Sequence, residues 1–470
     1  MLGLIVKSIP FQALLFLTLG SSCAGQTPEA APTPPQVPLI HKVELLNGLR
    51  LVIAQTRAAP RIALNLLIKA GSAQDPPNKA GTAYLTALSL RFANQLEADE
   101  QFSEELEDVG AELRIRVDED SIVFHAEVPL SNLDTFLDVL SHMVLKPLFS
   151  TEGVRKLKQK LVESKIESAE PLEFASQRLK GMVFGKHPYG RSMYGTSQSL
   201  AEIRLEDLAE FHKTYFCPNN AVLVISGNLE TSFMGKLVRE KLGGWVRGAK
   251  VEEELLQAPV SEGFSILAVE DKREDVALVF GHVGPPRVTP DFYAATIMNL
   301  IVGGAGNGSR LAQGFLAKDI GHKSLQSEFQ FHRWGGLFQV AAVVPSSSVG
   351  SALKMILEII QSVKSSPVSE SELTATKKRL LNWHNEVVNS PSLVADQVAA
   401  QELYDLASDF LVSFPKRVQQ VTKERVEEVS RNYLSTSRAA AVIVGDSREA
   451  IPELKQLGTL EVTEKSATHE

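Results

Sequence analysis

The chain has 470 residues, too many for one compact core, so two or more domains are expected. Hydrophobic residues make up 44% and charged residues 22%, an ordinary globular balance, and a net charge of −8 argues against a nucleic-acid binder, which would carry a basic patch. The two cysteines, Cys23 and Cys217, are too few for a four-cysteine zinc site or a disulfide framework, and too far apart for a site of two cysteines and two histidines.

In chain order, the first element is an apolar run, "IPFQALLFLTLG" (9–20), behind Lys7. It is too short to span a bilayer and reads as the core of a signal peptide over residues 1–23. The "LGSSCAG" that follows resembles a bacterial lipobox, with Gly20 in the usual aliphatic position. That resemblance implies an exported protein whose Cys23 becomes the lipidated first residue. Ordinary cleavage and a misassigned start are the alternatives. Ala24 is not an inner-membrane retention aspartate, so the expected place is the periplasm, tethered to the outer membrane by lipid alone. Residues 24–39 are a Pro- and Ala-rich tether.

The first folded segment, 40–245, opens with β-rich runs, "LRLVIAQ" (49–55) and "RIALNLLIKAG" (61–71). "GTAYLTALSLRFA" (81–93) reads as helix, and "AELRIRVDEDSIVFHAEVP" (111–129) as a hairpin turning at "DED". Leu133, Phe136, Leu137 and Leu140 have helical spacing, and two longer helical segments follow at 152–170 and 173–183. The chain then repeats itself. "LAEFHKTYFCPNNAVLVISGNLE" (208–230) matches "VEEVSRNYLSTSRAAAVIVGDSRE" (426–449), with Tyr215 against Tyr433 and Gly227 against Gly445 at the same spacing of 218 residues. Each copy is an amphipathic helix ending at Tyr, a polar loop, a β-branched strand and a Gly turn. Residues 246–261 are charged and aperiodic, a linker; 262–455 form the second domain and 456–470 a polar tail. Strands with helices beside them, built twice, give an α+β fold of two homologous αβ two-layer domains.

This order resembles the insulinase/pitrilysin family of zinc metallopeptidases, which includes the mitochondrial processing peptidase subunits. The marks are "LLNGLRLVIA" (45–54), "KAGSAQDPPNKAGTAY" (69–84), "VPLSNLDTFLDVLSHMVLKPLF" (128–149), "FGKHPYGRSMYGTSQSLAEIRLEDLAEFHKTYFCPNNAVLVISGNL" (184–229) and "NLIVGGAGNGSRL" (299–311). The resemblance implies chains of two αβ domains that pair and enclose an extended peptide. It also implies a site on the first helix: an H-x-x-E-H motif, two histidine ligands and a glutamate general base, with a glutamate ligand farther on. Here the histidine positions hold Tyr84 and Leu88 and the base position Ala87, while Glu163, 75 residues after Leu88, matches the distal ligand. Leu and Ala have no donor atom and a neutral phenol is a poor zinc ligand, so no metal and no cofactor are expected. Glu163 is either a solvated helix residue or a retained cleft carboxylate.

Active members also carry an Arg and a Tyr in the second domain that polarise the scissile carbonyl. Those positions hold Ala317 and Ser324. No two of the ten histidines lie three or four apart, and each reads as a surface or helix-cap residue, with His187 in a structural turn. Cys217 reads as a plain semi-buried thiol. "VGGAGNGSR" (302–310) follows a helical pattern, not a strand, which excludes a dinucleotide loop. Gly303, Gly304, Gly306 and Gly308 form either a helix C-cap turn or a flexible loop that contacts substrate. The second reading has a parallel in the resemblance, since the non-catalytic processing peptidase subunit carries such a loop. The expected function is therefore a non-catalytic subunit that pairs with an active zinc-bearing homologue and orients peptides. A stand-alone peptide-binding or envelope scaffold is the alternative, and an active peptidase with a relocated site a lesser one.

Overall fold

Twelve strands, arranged as two six-stranded sheets, carry the β-branched runs of the chain in the computed structural model, which describes residues 37–464 except 57–60, 93–97, 168–169, 252–255, 260–261, 305 and 307. The expected signal segment, Cys23 and the tether up to residue 36 lie outside the described residues. The first sheet holds β1 (Leu39–Glu44), β2 (Arg50–Gln55), β3 (Arg61–Ile68), β4 (Glu112–Val117), β5 (Ile122–Pro129) and β6 (Ala221–Gly227), in the order β1-β2-β6-β3-β5-β4. The second holds β7 (Phe264–Glu270), β8 (Asp275–Gly284), β9 (Ser324–Gln330), β10 (Gly336–Pro345), β11 (Ala439–Gly445) and β12 (Thr459–Glu464), in the order β12-β7-β11-β8-β10-β9.

The duplication extends to residue pairing. Asn65 of β3 pairs with Val224 of β6 and His125 of β5, and Val279 of β8 pairs with Val442 of β11 and Ala341 of β10. Val224 and Val442 keep the spacing found in the sequence. Gly227 and Gly445 end their strands with φ of 159° and 144°, and a Cβ on either would press against the neighbouring strand, on Ile62 and on Val276.

Each sheet packs one face on helices of its own half, as expected of an αβ domain. A third layer then comes from the other half. The helix Pro171–Phe184 lays Ala175, Leu179 and Val183 on β8 and β11 of the second sheet. The helix Pro391–Leu403 lays Val394, Ala395 and Val398 on β3 and β6 of the first. The central strands are consequently covered on both faces, and every residue of β6 and β11 is buried.

One boundary differs from the sequence reading. Residues 459–464, read as part of a polar tail, form β12, which pairs parallel with β7. Its side chains are mostly exposed, and the alternation of Leu460 and Val462 with polar residues is too short to stand out at the polar end of the chain; backbone pairing at a sheet edge holds it. No helix among the described residues is long and apolar enough to cross a membrane.

Where the halves meet, two turns touch tip to tip. The turn between β4 and β5 brings Glu119 and Asp120 against His332 and Arg333 of the turn between β9 and β10. Lys180 Nζ pairs with Glu119 Oε1 at 2.5 Å, and the hydroxyls of Tyr189 and Tyr404 donate to Asp120 at 2.5 and 3.0 Å. Burial alone would raise the Glu119 carboxyl, but Lys180 and His332 bring it down to about 2.

Candidate functional site

The helix Thr82–Ser89 presents the positions at issue. Gly81 precedes it with φ of 99°, and a Cβ there would stand 3.0 Å from the Tyr194 carbonyl oxygen, so only glycine fits. The backbone N–H groups of Gly81 and Ala83 each donate to a carboxylate oxygen of Asp75 at 2.7 Å, an anion on the positive end of the helix. Burial pushes the Asp75 carboxyl up to about 7 in spite of these donors. Arg191 Nη1 donates to the Asp75 carbonyl at 2.8 Å and Ser199 Oγ to that of Ala80 at 2.8 Å, tying down the loop before the helix.

Tyr84 is 4% exposed and packs edge-to-face on Tyr194, with ring centroids 4.9 Å apart. Burial pushes its phenol up to about 12, so it is neutral at physiological pH. Ala87 is fully buried, and Leu88 packs against the same core. Glu163 is exposed and accepts a hydrogen bond from Gln159 Nε2 at 2.9 Å, on a π-helical stretch (Val162–Glu167) that continues the helix Thr151–Leu161. Zinc in this family chemistry needs three protein donors. This set offers one exposed carboxylate, a neutral buried phenol and two hydrocarbons, and does not fit the ion. No group of three or more His, Cys, Asp or Glu side chains that could hold a metal exists among the described residues.

The second-half positions are equally bare. Ala317 is exposed at the end of the helix Arg310–Ala317, and Ser324 is half-buried at the start of β9. Neither can donate to an oxyanion as an arginine and a tyrosine would. Gly303 ends the helix Phe292–Gly303, and Gly304 caps it through an N–H bond to the Leu300 carbonyl at 3.2 Å. Both are packing requirements, since a Cβ would stand 2.6 Å from Ser327 Oγ at Gly303 and 2.6 Å from Leu300 Cδ2 at Gly304. Gly306 and Gly308 are exposed.

The reading of the histidines needs correction. His125, His187, His282, His332 and His384 are buried. His187 makes the expected turn, its Nδ1 accepting from the Tyr189 N–H at 3.2 Å. His282 is bonded at both nitrogens, to Val283 O at 2.9 Å and Ser435 N at 3.2 Å, His125 faces Asn65 and Ser392, His384 stacks on Phe414, and His332 stands between Glu119 and Asp120. Nothing local in the sequence reports such partners. Cys217 is buried as a thiol, and burial raises its pKa, which keeps it unreactive. Asp75 and Tyr194, which hold the helix in place, escaped the sequence reading because neither belongs to the ligand pattern.

Comparison with known proteins decides the family. The model described as insulinase (peptidase family M16) matches residues 50–197, and that described as peptidase M16 inactive domain matches 202–380. The chain belongs to the insulinase family, M16. An uncharacterized zinc protease of Mycobacterium tuberculosis is 22% identical over 431 residues, covering 91% of this chain and 98% of that protein. A probable mitochondrial-processing peptidase subunit beta of Arabidopsis thaliana is 21% identical, covering 85% and 77%. Among solved structures, a peptidase M16 inactive domain from Pseudomonas fluorescens superposes with a TM-score of 0.80 at 22% identity, over 87% of this chain and 98% of that one. A protease from Helicobacter pylori gives 0.81 at 18%, over 87% and 100%. The two-domain M16 fold is thus intact around a helix that lacks the zinc donors.

Proposed function

We propose that this M16 chain is a subunit non-catalytic in the zinc-peptidase reaction, exported and lipid-anchored at Cys23, that pairs with an active zinc-bearing homologue and orients extended peptides. The observation that carries the reading is the helix Thr82–Ser89. Its fold, its Asp75 anchor and its packing are complete, while Tyr84, Ala87 and Leu88 supply neither ligand nor base. A protein under no demand for its architecture has no reason to keep such a helix in place.

The peptide reading is supported by β4, which forms an edge of the first sheet and touches that helix. Its outer backbone groups have no partner strand among the described residues, and an extended peptide can add there by strand pairing. The exposed Gly306 and Gly308 offer a second contact in the same proposal. The test is purification from the native host. A homologue with an intact H-x-x-E-H motif is expected to come down with this chain, and mixing the two should raise peptidase turnover. Absence of any such homologue, with turnover unchanged on mixing, would leave the stand-alone scaffold in its place.

A further inference from the structure

The outer face of the first sheet carries a polar array remote from the question of zinc. Asp396, on the helix Pro391–Leu403, is buried and ion-paired with Arg116. Burial would raise its carboxyl, yet Arg116, His125 and Asn65 together hold it below the ordinary value. An ionised carboxylate only accepts, so the Asn65 atom 2.7 Å from Asp396 Oδ1 is the amide nitrogen. The amide oxygen then faces His125 Nδ1 at 2.7 Å, and because it too only accepts, Nδ1 carries the proton. The lone pair falls on Nε2, and Ser392 Oγ lies 3.0 Å from it. Asp396, Asn65, His125 and Ser392 form one directed chain that ends on a half-buried hydroxyl.

The duplication supplies an internal control. Through strand pairing, Asn65 corresponds to Val279 and His125 to Ala341. With the helices aligned on Pro171 and Pro391, Ser392 corresponds to Leu172 and Asp396 to Ser176. The same helix-on-sheet contact is therefore built in the second half without the array, and the fold does not require it. Ser392 is the second residue of its helix, at the positive end of the dipole. Glu127 is the carboxylate beside this pair: its Oε1 stands 3.8 Å from His125 Nε2, and His125 first, then Ser392, hold its carboxyl down to about 2 against burial, so it stands where it would stabilise an imidazolium.

We propose that Ser392 is an activated nucleophile toward carboxylic esters, with His125 as its general base and Asn65 as a positioning residue that fixes the tautomer. Ser392 Oγ bonds to the ester carbonyl carbon as its proton passes to His125 Nε2. The bond to the leaving alcohol breaks as His125 returns that proton. Water then repeats the sequence, releasing the acid and restoring the serine. This chemistry is independent of the zinc positions and of any partner subunit.

The test uses a fluorophosphonate probe on the purified full chain: the Oγ–P bond forms, the P–F bond breaks, fluoride leaves and the proton goes to His125. Peptide mass mapping should place the label on Ser392, and Ser392→Ala should abolish it. His125→Gln, which keeps hydrogen-bonding atoms but no base, should slow labelling by about 100-fold or more. Asn65→Val, the residue at the equivalent place in the second half, should also slow the labelling rate at saturating probe while leaving the probe concentration for half-maximal rate unchanged, with Tm by circular dichroism reporting that the variants are folded. A wild-type chain left unlabelled at Ser392, or wild-type labelling rates in folded His125→Gln or Asn65→Val, would overturn the proposal.

Discussion

Tyr84 and Glu163 occupy two positions of one ligand pattern and now have opposite physical situations. The tyrosine ring fills core space against Tyr194, while the glutamate stands in solvent beside Gln159. Tyr84→Ala is expected to cost about 3–5 kcal/mol in chemical denaturation, as for other large buried rings. Glu163→Gln should change stability by less than about 0.5 kcal/mol, as a surface substitution does. Thr86, on the same helix, buries a hydroxyl that has no hydrogen-bond partner among the described residues. Thr86→Val removes that hydroxyl at nearly constant shape and is expected to raise stability by about 1 kcal/mol. Loss of the ligands was legible in the sequence because donor atoms belong to residue types. What replaced them was not, since Tyr194 and Asp75 reach the helix only through tertiary structure. The buried histidines were missed for the same reason.

At the scale of elements, the repeat was the most legible feature, because identical constraints act twice. Gly227 and Gly445 each close a central strand at positive φ against the next strand. Alanine at either should destabilise by about 1–3 kcal/mol. The cost should be greater at Gly445, where the added Cβ meets Val276 at 2.9 Å rather than Ile62 at 3.2 Å. Equilibrium unfolding of the two variants checks the order. The β4–β5 hairpin and its "DED" turn were also legible, from alternation and turn chemistry. The exchange of helices between halves was not. Its one trace is the unbroken apolar run of "AVLVIS" and "AAVIV", since a strand buried on both faces needs two covering layers. The run demands a second cover without saying which segment provides it, and the faint alternation of Leu460 and Val462 in β12 was lost among the polar residues around it.

For the whole molecule, that exchange makes each half a support for the other. Residues 37–246 or 262–464 expressed alone would each leave one sheet face bare, and neither is expected to give a cooperative unfolding transition. Mixed or co-expressed, they should reassemble into a folded pair, and a cooperative transition from either half alone would contradict this. The tip-to-tip junction adds a pH dependence. Burial would lower the His332 imidazole, but Glu119 and Asp120 hold it above its ordinary 6.5. The folded state therefore keeps this proton more tightly than the unfolded chain does. Its contribution is full below 6.5 and fades as pH rises through the folded value. The Tm advantage of the wild type over His332→Gln should accordingly shrink between pH 5.5 and pH 8; an advantage that grows would reverse the assigned sign.

The proposed function rests on the view that the M16 fold is kept here without its metal. Elemental analysis of zinc in purified residues 24–470 after mild dialysis tests that view most directly. The account predicts close to no zinc per chain, with the helix Thr82–Ser89 serving as a packed core element. About one tightly held zinc per chain would contradict it and would turn attention to Glu163 and the dispersed histidines as a relocated site.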